Sequence, residues 1–205
     1  MKHQHNMAKR ITITFLTGNK SKIRSASRVF SKYPQIKLKT LKTHTVEIQS
    51  LDVEEVAKYA AWEAANRLGI PVFKMDAGYY FEALNGFPGA FIKYFNAALS
   101  PEDILKLLEG KSRKVVVKEA LAYCEPGKHP VVFTAQVTAK IGTKPMGQGS
   151  SIDRLIIYEG FNKPQAACDK DKIIEYWNKH LDHYERFARW LVGEKSKMQR
   201  HKKLI

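Results

Sequence analysis

A polyphosphate is held by donors and cations at a rigid turn, and residues 17–22 offer both. Thr17-Gly18-Asn19-Lys20-Ser21-Lys22 lies between an alternating apolar run and a helical pattern. Gly18 lets backbone approach a ligand closely. The start of a helix presents unpaired N–H groups and the positive end of a dipole. Thr17, Asn19 and Ser21 add neutral donors, and Lys22 adds a point charge. The set suits a polyphosphate, although the G-x-x-x-x-G-K-[ST] spacing of a P-loop is absent. The same residues fit a plain helix cap by Asn19 equally well. Two carboxylates, Glu47 and Asp76, stand where a second and a third strand pattern end. Strand ends on one sheet edge converge, so these two could share a Mg²⁺, which takes oxygen ligands and keeps waters and substrate phosphates around it. A carboxylate there can orient or deprotonate an attacking water. The alternative is two unrelated surface acids. Cys124 and Cys168 have no metal-ligand spacing and fit a reducing compartment.

These residues need a scaffold, and the periodicity predicts one. Ile11 to Leu16 alternates apolar residues with Thr and reads as a strand. Ile23, Ala26, Phe30 and Tyr33 share one face of a helix that stops before Pro34. Lys37 to Val46 reads as a second strand, solvated on one face. Val53 to Leu68 is the clearest helix: Asp52 and Glu55 form a capping box, Val53, Val56, Ala57, Ala60, Ala61, Ala64 and Leu68 form its apolar face, and Gly69 stops it. Pro71 to Met75 reads as a short buried strand ending at Asp76-Ala77-Gly78. The loop Asn85-Gly86-Phe87-Pro88-Gly89 leads into a short helix, and another follows over about Pro101 to Glu109. Val115 to Tyr123 and Val131 to Ile141 pair antiparallel through Glu125-Pro126-Gly127-Lys128. Ile152 to Tyr158 is a further strand. Asp171 to Leu191 reads as one long amphipathic helix with Ile173, Trp177, Leu181, Tyr184, Phe187 and Leu191 inward. The order β-α-β-α-β, then helices, an antiparallel region and a terminal helix, is that of a mixed α/β protein, whose ligands collect where strands end.

The composition narrows the classes. The chain has 205 residues, 44% hydrophobic and 27% charged, enough for one sizeable core or two small lobes sharing a cleft. That excludes a mainly disordered chain and a disulfide miniprotein. No run approaches the roughly 18 apolar residues of a membrane span, and the N-terminus lacks the apolar run of a signal peptide, so a cytoplasmic protein without membrane partners is expected. The net charge of +15 is unevenly placed: residues 1–46 carry 11 Lys/Arg and no acid, residues 195–205 carry 5 and no acid, and residues 47–194 hold 19 basic and 20 acidic residues. Such basic ends attract phosphate-bearing partners, nucleic acid among them; they also fit a solvated tail. A flexible N-terminus over 1–10, a domain over 11–193 and a basic tail over 194–205 are expected.

Taken together, TGNKSK at 17–22, Glu47 before a capped helix, MDAG at 75–78 and ALNGFPGAFIKYF at 83–95 resemble the inosine/xanthosine triphosphate pyrophosphatase family. The family pattern T-G-N-x-x-K is matched by Thr17, Gly18, Asn19 and Lys22, and its acid before the second helix by Glu47. Asp76 and Gly78 match part of [DE]-D-[ST]-G-L. Ala83, Leu84, Gly86, Pro88, Gly89, Phe91, Ile92 and Phe95 match its long Pro-Gly stretch. The resemblance implies an elongated mixed sheet flanked by helices, two lobes with a nucleotide cleft between them, and a homodimer. It implies Mg²⁺-dependent cleavage of non-standard purine nucleoside triphosphates to monophosphate and pyrophosphate. Glu47 and Asp76 would hold Mg²⁺, one of them orienting the attacking water. Lys22 and Lys93 would hold phosphates beside Thr17, Gly18 and Asn19, and Asp153 and His183 would stand on the base side.

The departures from the family pattern concentrate at one end. Met75 stands in place of a first acid, Ala77 in place of Ser/Thr, Tyr79 in place of an apolar residue, and Ser25 in place of a Glu. The F-G-[YW]-D-P-x-F loop appears as Ser150 to Ile156 with only Asp153 retained, and its stacking aromatic is missing. K-N-x-x-S-H-R appears as Asn178 to Tyr184 with only His183 retained; Lys179 or Arg186 could substitute for the lost cations, and Asp182 adds an acceptor or a plain surface acid. Phosphate-side residues are kept while base-reading donors are lost, so a weaker preference for ITP and XTP over ATP and GTP is expected. A non-catalytic member that binds nucleotide or nucleic acid is the alternative.

Overall fold

The computed structural model describes the backbone of residues 10–202 and side chains as far as Gly193. The expected loose segment 1–10 falls almost wholly outside the described residues, as do the side chains of the basic tail. Seven strands form one sheet in the order β2 (Ile36–Leu41), β1 (Ile11–Leu16), β3 (Val72–Phe81), β5 (Lys114–Cys124), β6 (Val131–Ile141) and β7 (Ile156–Tyr158), with β4 (Pro88–Gly89) paired to β3. β1 runs parallel to β2 and β3, and all other pairs are antiparallel. Helices α1 (Lys20–Phe30), α2 (Val53–Leu68), α3 (Ile92–Ala98), α4 (Pro101–Leu107), α5 (Lys170–His180) and α6 (His183–Lys202) flank this sheet.

The two faces of β3 explain the layers. Side chains alternate across a strand, so Phe73, Met75 and Phe81 face one side and Val72 the other. On the first side, Phe15, Phe30, Phe73, Tyr184 and Phe187 form an aromatic core between β1, α1, β3 and α6. On the second, Ala57, Ala61, Ala64 and Ala65 of α2 lie against Val72, Ala120 and Ala122; these small side chains let the helix sit close to the sheet. A third core, with Phe81, Phe95, Ile104, Val115, Ile156 and Tyr158, fills the other end of the long strands. β3 and β5 run through both ends.

Several boundaries differ from expectation. β3 does not stop at Asp76: it pairs with β5 for ten residues, from Val72 opposite Cys124 to Phe81 opposite Val115. Its other neighbour, β1, pairs only at Thr14 and Phe15. Asp76 is therefore mid-strand, at the place where the parallel neighbour has ended. β2 ends at Leu41, so Glu47 lies in an irregular segment and not at a strand end. The capping box at α2 is not formed: Asp52 accepts from Glu54 N at 2.9 Å, while Glu55 accepts from the Ser50 hydroxyl. β7 is only three residues long, with 152–155 in a turn.

The expected helix over Asp171 to Leu191 is two helices. α5 closes at Leu181, whose N–H donates to Trp177 O at 2.6 Å, and Asp182 O accepts from Arg186 N to start α6. Asp competes for local backbone donors and favours helix starts over interiors. The apolar periodicity continues through the break, which is why the sequence reads as uninterrupted. The α6 backbone continues to Lys202.

Candidate active site

A cleft of about 660 Å³ opens between the two ends of the sheet. One wall comes from the β1–α1 turn, the opposite wall from α3, the floor from β3 and β5, and the far end from the 148–168 loop and α5.

Lys22 projects from the first turn of α1. Its Nζ donates to Met75 O at 2.8 Å and stands 3.6 Å from Asp76 Oδ1. Asp76 Oδ1 also accepts from Ala77 N at 3.0 Å. Asn19 serves as the helix cap, accepting from Ser21 N and Lys22 N, and Thr17 Oγ1 accepts from Asn19 N. These turn donors are thus satisfied internally, and the charged group that the turn presents to the cleft is the Lys22 ammonium. Asn19 and Lys22 line the cleft; Thr17 and Gly18 lie behind them as support. A Cβ at Gly18 would meet the Lys42 side chain at 3.2 Å.

Glu47 reaches the same cleft from its irregular segment because Lys74 holds it there. Lys74 Nζ donates to Glu47 Oε1 at 2.9 Å and to Thr45 Oγ1 at 2.7 Å. Burial works to raise the Glu47 carboxyl, but the Lys74 hydrogen bond, the Lys74 charge and the charges of Lys93 and Lys22 together hold it below its ordinary value. Glu47 is consequently ionised and faces three cations. Lys93 extends from α3, which the turn at Gly89 aims: Gly89 has φ +55°, and a Cβ there would lie 2.4 Å from Leu51 O. Ala90 N donates to that same carbonyl at 3.0 Å.

Asp76 and Glu47 thus line one cleft. Among the described residues, no group of three or more His, Cys, Asp or Glu side chains gathers into a metal cage. Two carboxylates beside Lys22 and Lys93 nevertheless fit Mg²⁺, which is commonly held by one or two carboxylates plus substrate oxygens and water.

The other end of the cleft differs from expectation residue by residue. Asp153 lines it, but its carboxylate accepts from Gln165 Nε2 and Ser150 N and so organises the loop. Arg186 does not reach the cleft: it donates to Asp182 Oδ1 at 2.9 Å and to Thr134 O. Asp182 and Lys179 are exposed and outside the cleft. Ser25 is buried and hydrogen-bonds Asn178, tying α1 to α5. Met75 packs into the aromatic core. His183 does line the cleft, with only 1% of its surface exposed and neither ring nitrogen hydrogen-bonded. Burial, then the charges of Arg186 and Lys22, lower its pKa to about 3, so the ring is neutral.

Two cleft residues escape a reading of the sequence. Trp177, on α5, lines the cleft beside Tyr158; its helical spacing had marked it only as inward-facing. Glu119, on β5, has its Oε2 3.3 Å from His183 Nε2. Burial raises its carboxyl to about 7, with Lys22 opposing and Asp76 adding to the shift. A single acid in an apolar strand pattern carries no local signal of a site.

Mixed sheet, flanking helices and a cleft between two cores define an ITPase-like α/β protein. Residues 13–175 match the profile of the Ham1 family, and the chain belongs to that family. It is 37% identical over 182 residues to a dITP/XTP pyrophosphatase of Methanopyrus kandleri, covering 87% of this chain and 95% of that protein. It is 32% identical to an inosine triphosphate pyrophosphatase of Emericella nidulans, covering 90% of this chain and 99% of that protein. A Ham1 protein structure from Coxiella burnetii superposes with a TM-score of 0.74 at 20% identity, covering 89% of this chain and 99% of that one, and so shares the fold. Family membership places the chain among hydrolases acting on acid anhydrides.

Proposed function

We propose that this chain is a Mg²⁺-dependent nucleoside triphosphate pyrophosphohydrolase acting on non-standard purine nucleotides through an altered base site. The observation that carries the reading is the convergence of Lys22, Lys93, Glu47 and Asp76 on one cleft. Lys22 and Lys93 hold the phosphates. Glu47, kept ionised by Lys74, and Asp76 are the residues that would hold the cation. Bound there, Mg²⁺ would neutralise phosphate charge and polarise a phosphoryl oxygen. One of the two carboxylates orients the water and accepts its proton as the oxygen attacks the α-phosphorus. The bond from the α-phosphorus to the bridging oxygen breaks, pyrophosphate leaves, and the lysines offset the charge on it. The similarity to proteins named dITP/XTP pyrophosphatase supports the substrate class. Exposed Tyr59 and Trp62, adjacent on α2, offer an apolar surface for the homodimer expected for this reading.

The test is pyrophosphate release by the full chain with Mg²⁺ from ITP, XTP, dITP and the ordinary NTPs. Turnover that disappears with EDTA and returns with Mg²⁺ supports the proposal. Binding of all these nucleotides with turnover of none would overturn it in favour of a non-catalytic binder.

A further inference from the structure

The far end of the cleft holds a donor and an acceptor that no other described residue satisfies. Glu119 Oε2 and His183 Nε2 are 3.3 Å apart, yet neither His183 nitrogen makes a hydrogen bond. Glu119 has no hydrogen-bond donor among the described residues, and its side chain, 14% exposed, lines the cleft. Its strand neighbours in register are Ala77 and Ala135, which leave room above it. A carboxylate and a neutral imidazole buried without partners cost stability, so a ligand that satisfies both gains what folding left unmade.

The ligand group follows from the chemistry. Glu119 faces His183 in the cleft that Tyr158 and Trp177 also line, aromatic surfaces of the kind a base stacks on, so the pair is assigned to the nucleoside. A 6-oxopurine presents an N1–H donor beside the O6 acceptor. A carboxylate with an adjacent imidazole N–H is the complement of that edge. In the pose that sets N1 against Glu119 and position 6 against His183, adenine presents the reverse order, a lone pair at N1 and an amino group at position 6, and loses both contacts. Resting on the pyrophosphohydrolase reading above, we propose that Glu119, beside His183, is the specificity-determining residue that reads the N1–H edge of 6-oxopurines in this cleft. The discrimination against adenine that the lost Lys and Arg would have supplied is then rebuilt by an acceptor from β5. Guanine carries the same N1–H, so GTP is poorly excluded while ATP is rejected.

The test compares kcat/KM for ITP, ATP and purine riboside triphosphate, which lacks both N1–H and O6, in wild type, Glu119→Ala and Glu119→Gln. Wild type is expected to favour ITP over purine riboside triphosphate by roughly 10- to 100-fold, the span of a hydrogen bond to a charged group. Glu119→Ala should lose most of that ratio through ITP alone, with ATP unchanged or improved, and Glu119→Gln should retain part of it through its carbonyl oxygen. An equal loss on all three substrates would overturn the proposal and leave Glu119 a structural or catalytic group. A loss on ITP that is absent on dITP would also overturn it, because Glu119 would then be reading the ribose 2′-hydroxyl. If wild type turns over none of them, the hydrolase reading fails separately, and the ratios are read as Kd values for the same nucleotides. Equal Kd values for ITP and purine riboside triphosphate in wild type would reject the base-reading role.

Discussion

Replacing Glu119 with Gln should uncover a pH dependence of stability that wild type conceals. The Glu119 carboxyl moves from an ordinary value of 4.5 to about 7 on folding, through burial and the Asp76 charge against the opposing Lys22 charge. It is protonated in both states below pH 4.5. As pH rises the unfolded chain releases the proton first, so stability is lost until about pH 7. At about 1.4 kcal/mol per pH unit, the loss over this window is about 3 kcal/mol. The facing His183 behaves oppositely, because burial and the Arg186 and Lys22 charges lower it from 6.5 to about 3. Its contribution is complete above pH 6.5 and lost as pH falls toward 3. Between pH 4.5 and 6.5 the two slopes cancel in wild type. Glu119→Gln leaves only the His183 slope. Urea denaturation at pH 4.5, 5.5, 6.5 and 7.5, at fixed ionic strength, should show the stability of the variant minus that of wild type rising by about 3 kcal/mol across the series. Acids common to both proteins drop out of this difference. A difference flat to within about 0.5 kcal/mol would refute the reasoning, since it would mean that the carboxyl is solvated or paired with a cation.

Other expectations concern the phosphate side and its supports. Asp76→Asn should lower kcat by roughly 100-fold or more while leaving the melting temperature near that of wild type, measured by pyrophosphate release and calorimetry; unchanged kcat would remove Asp76 from the chemistry. Lys74→Met frees Glu47 from its 2.9 Å partner, so the Glu47 carboxyl should rise and the half-saturating Mg²⁺ concentration should shift, read from Mg²⁺ titrations at several pH values. Gly89→Ala should destabilise by at least about 2 kcal/mol, because it combines a positive φ with a backbone clash; a denaturation midpoint equal to that of wild type would contradict the geometry.

The amino-acid pattern by itself determined the α/β class, most element positions and the candidates Asn19, Lys22, Glu47, Asp76 and Lys93 that meet in the cleft, because these rest on local signals. Alternation marks β1, an alanine stripe marks α2, and the TGNKSK turn and the Pro-Gly stretch carry their chemistry in contiguous residues. It could not show where β3 ends, since that depends on ten residues of pairing with β5, nor that the C-terminal helix breaks at Asp182. The base end was the least legible. Lys179, Arg186, Asp182 and Asp153 have suitable chemistry in the sequence, but the first three lie outside the cleft and Asp153 is tied up by its own loop. Glu119 and His183 stand 64 positions apart and meet only because β5 crosses beneath the start of α6. Burial and the absence of a partner, which make that pair chemically demanding, arise from packing between distant segments, so only the tertiary structure could decide them.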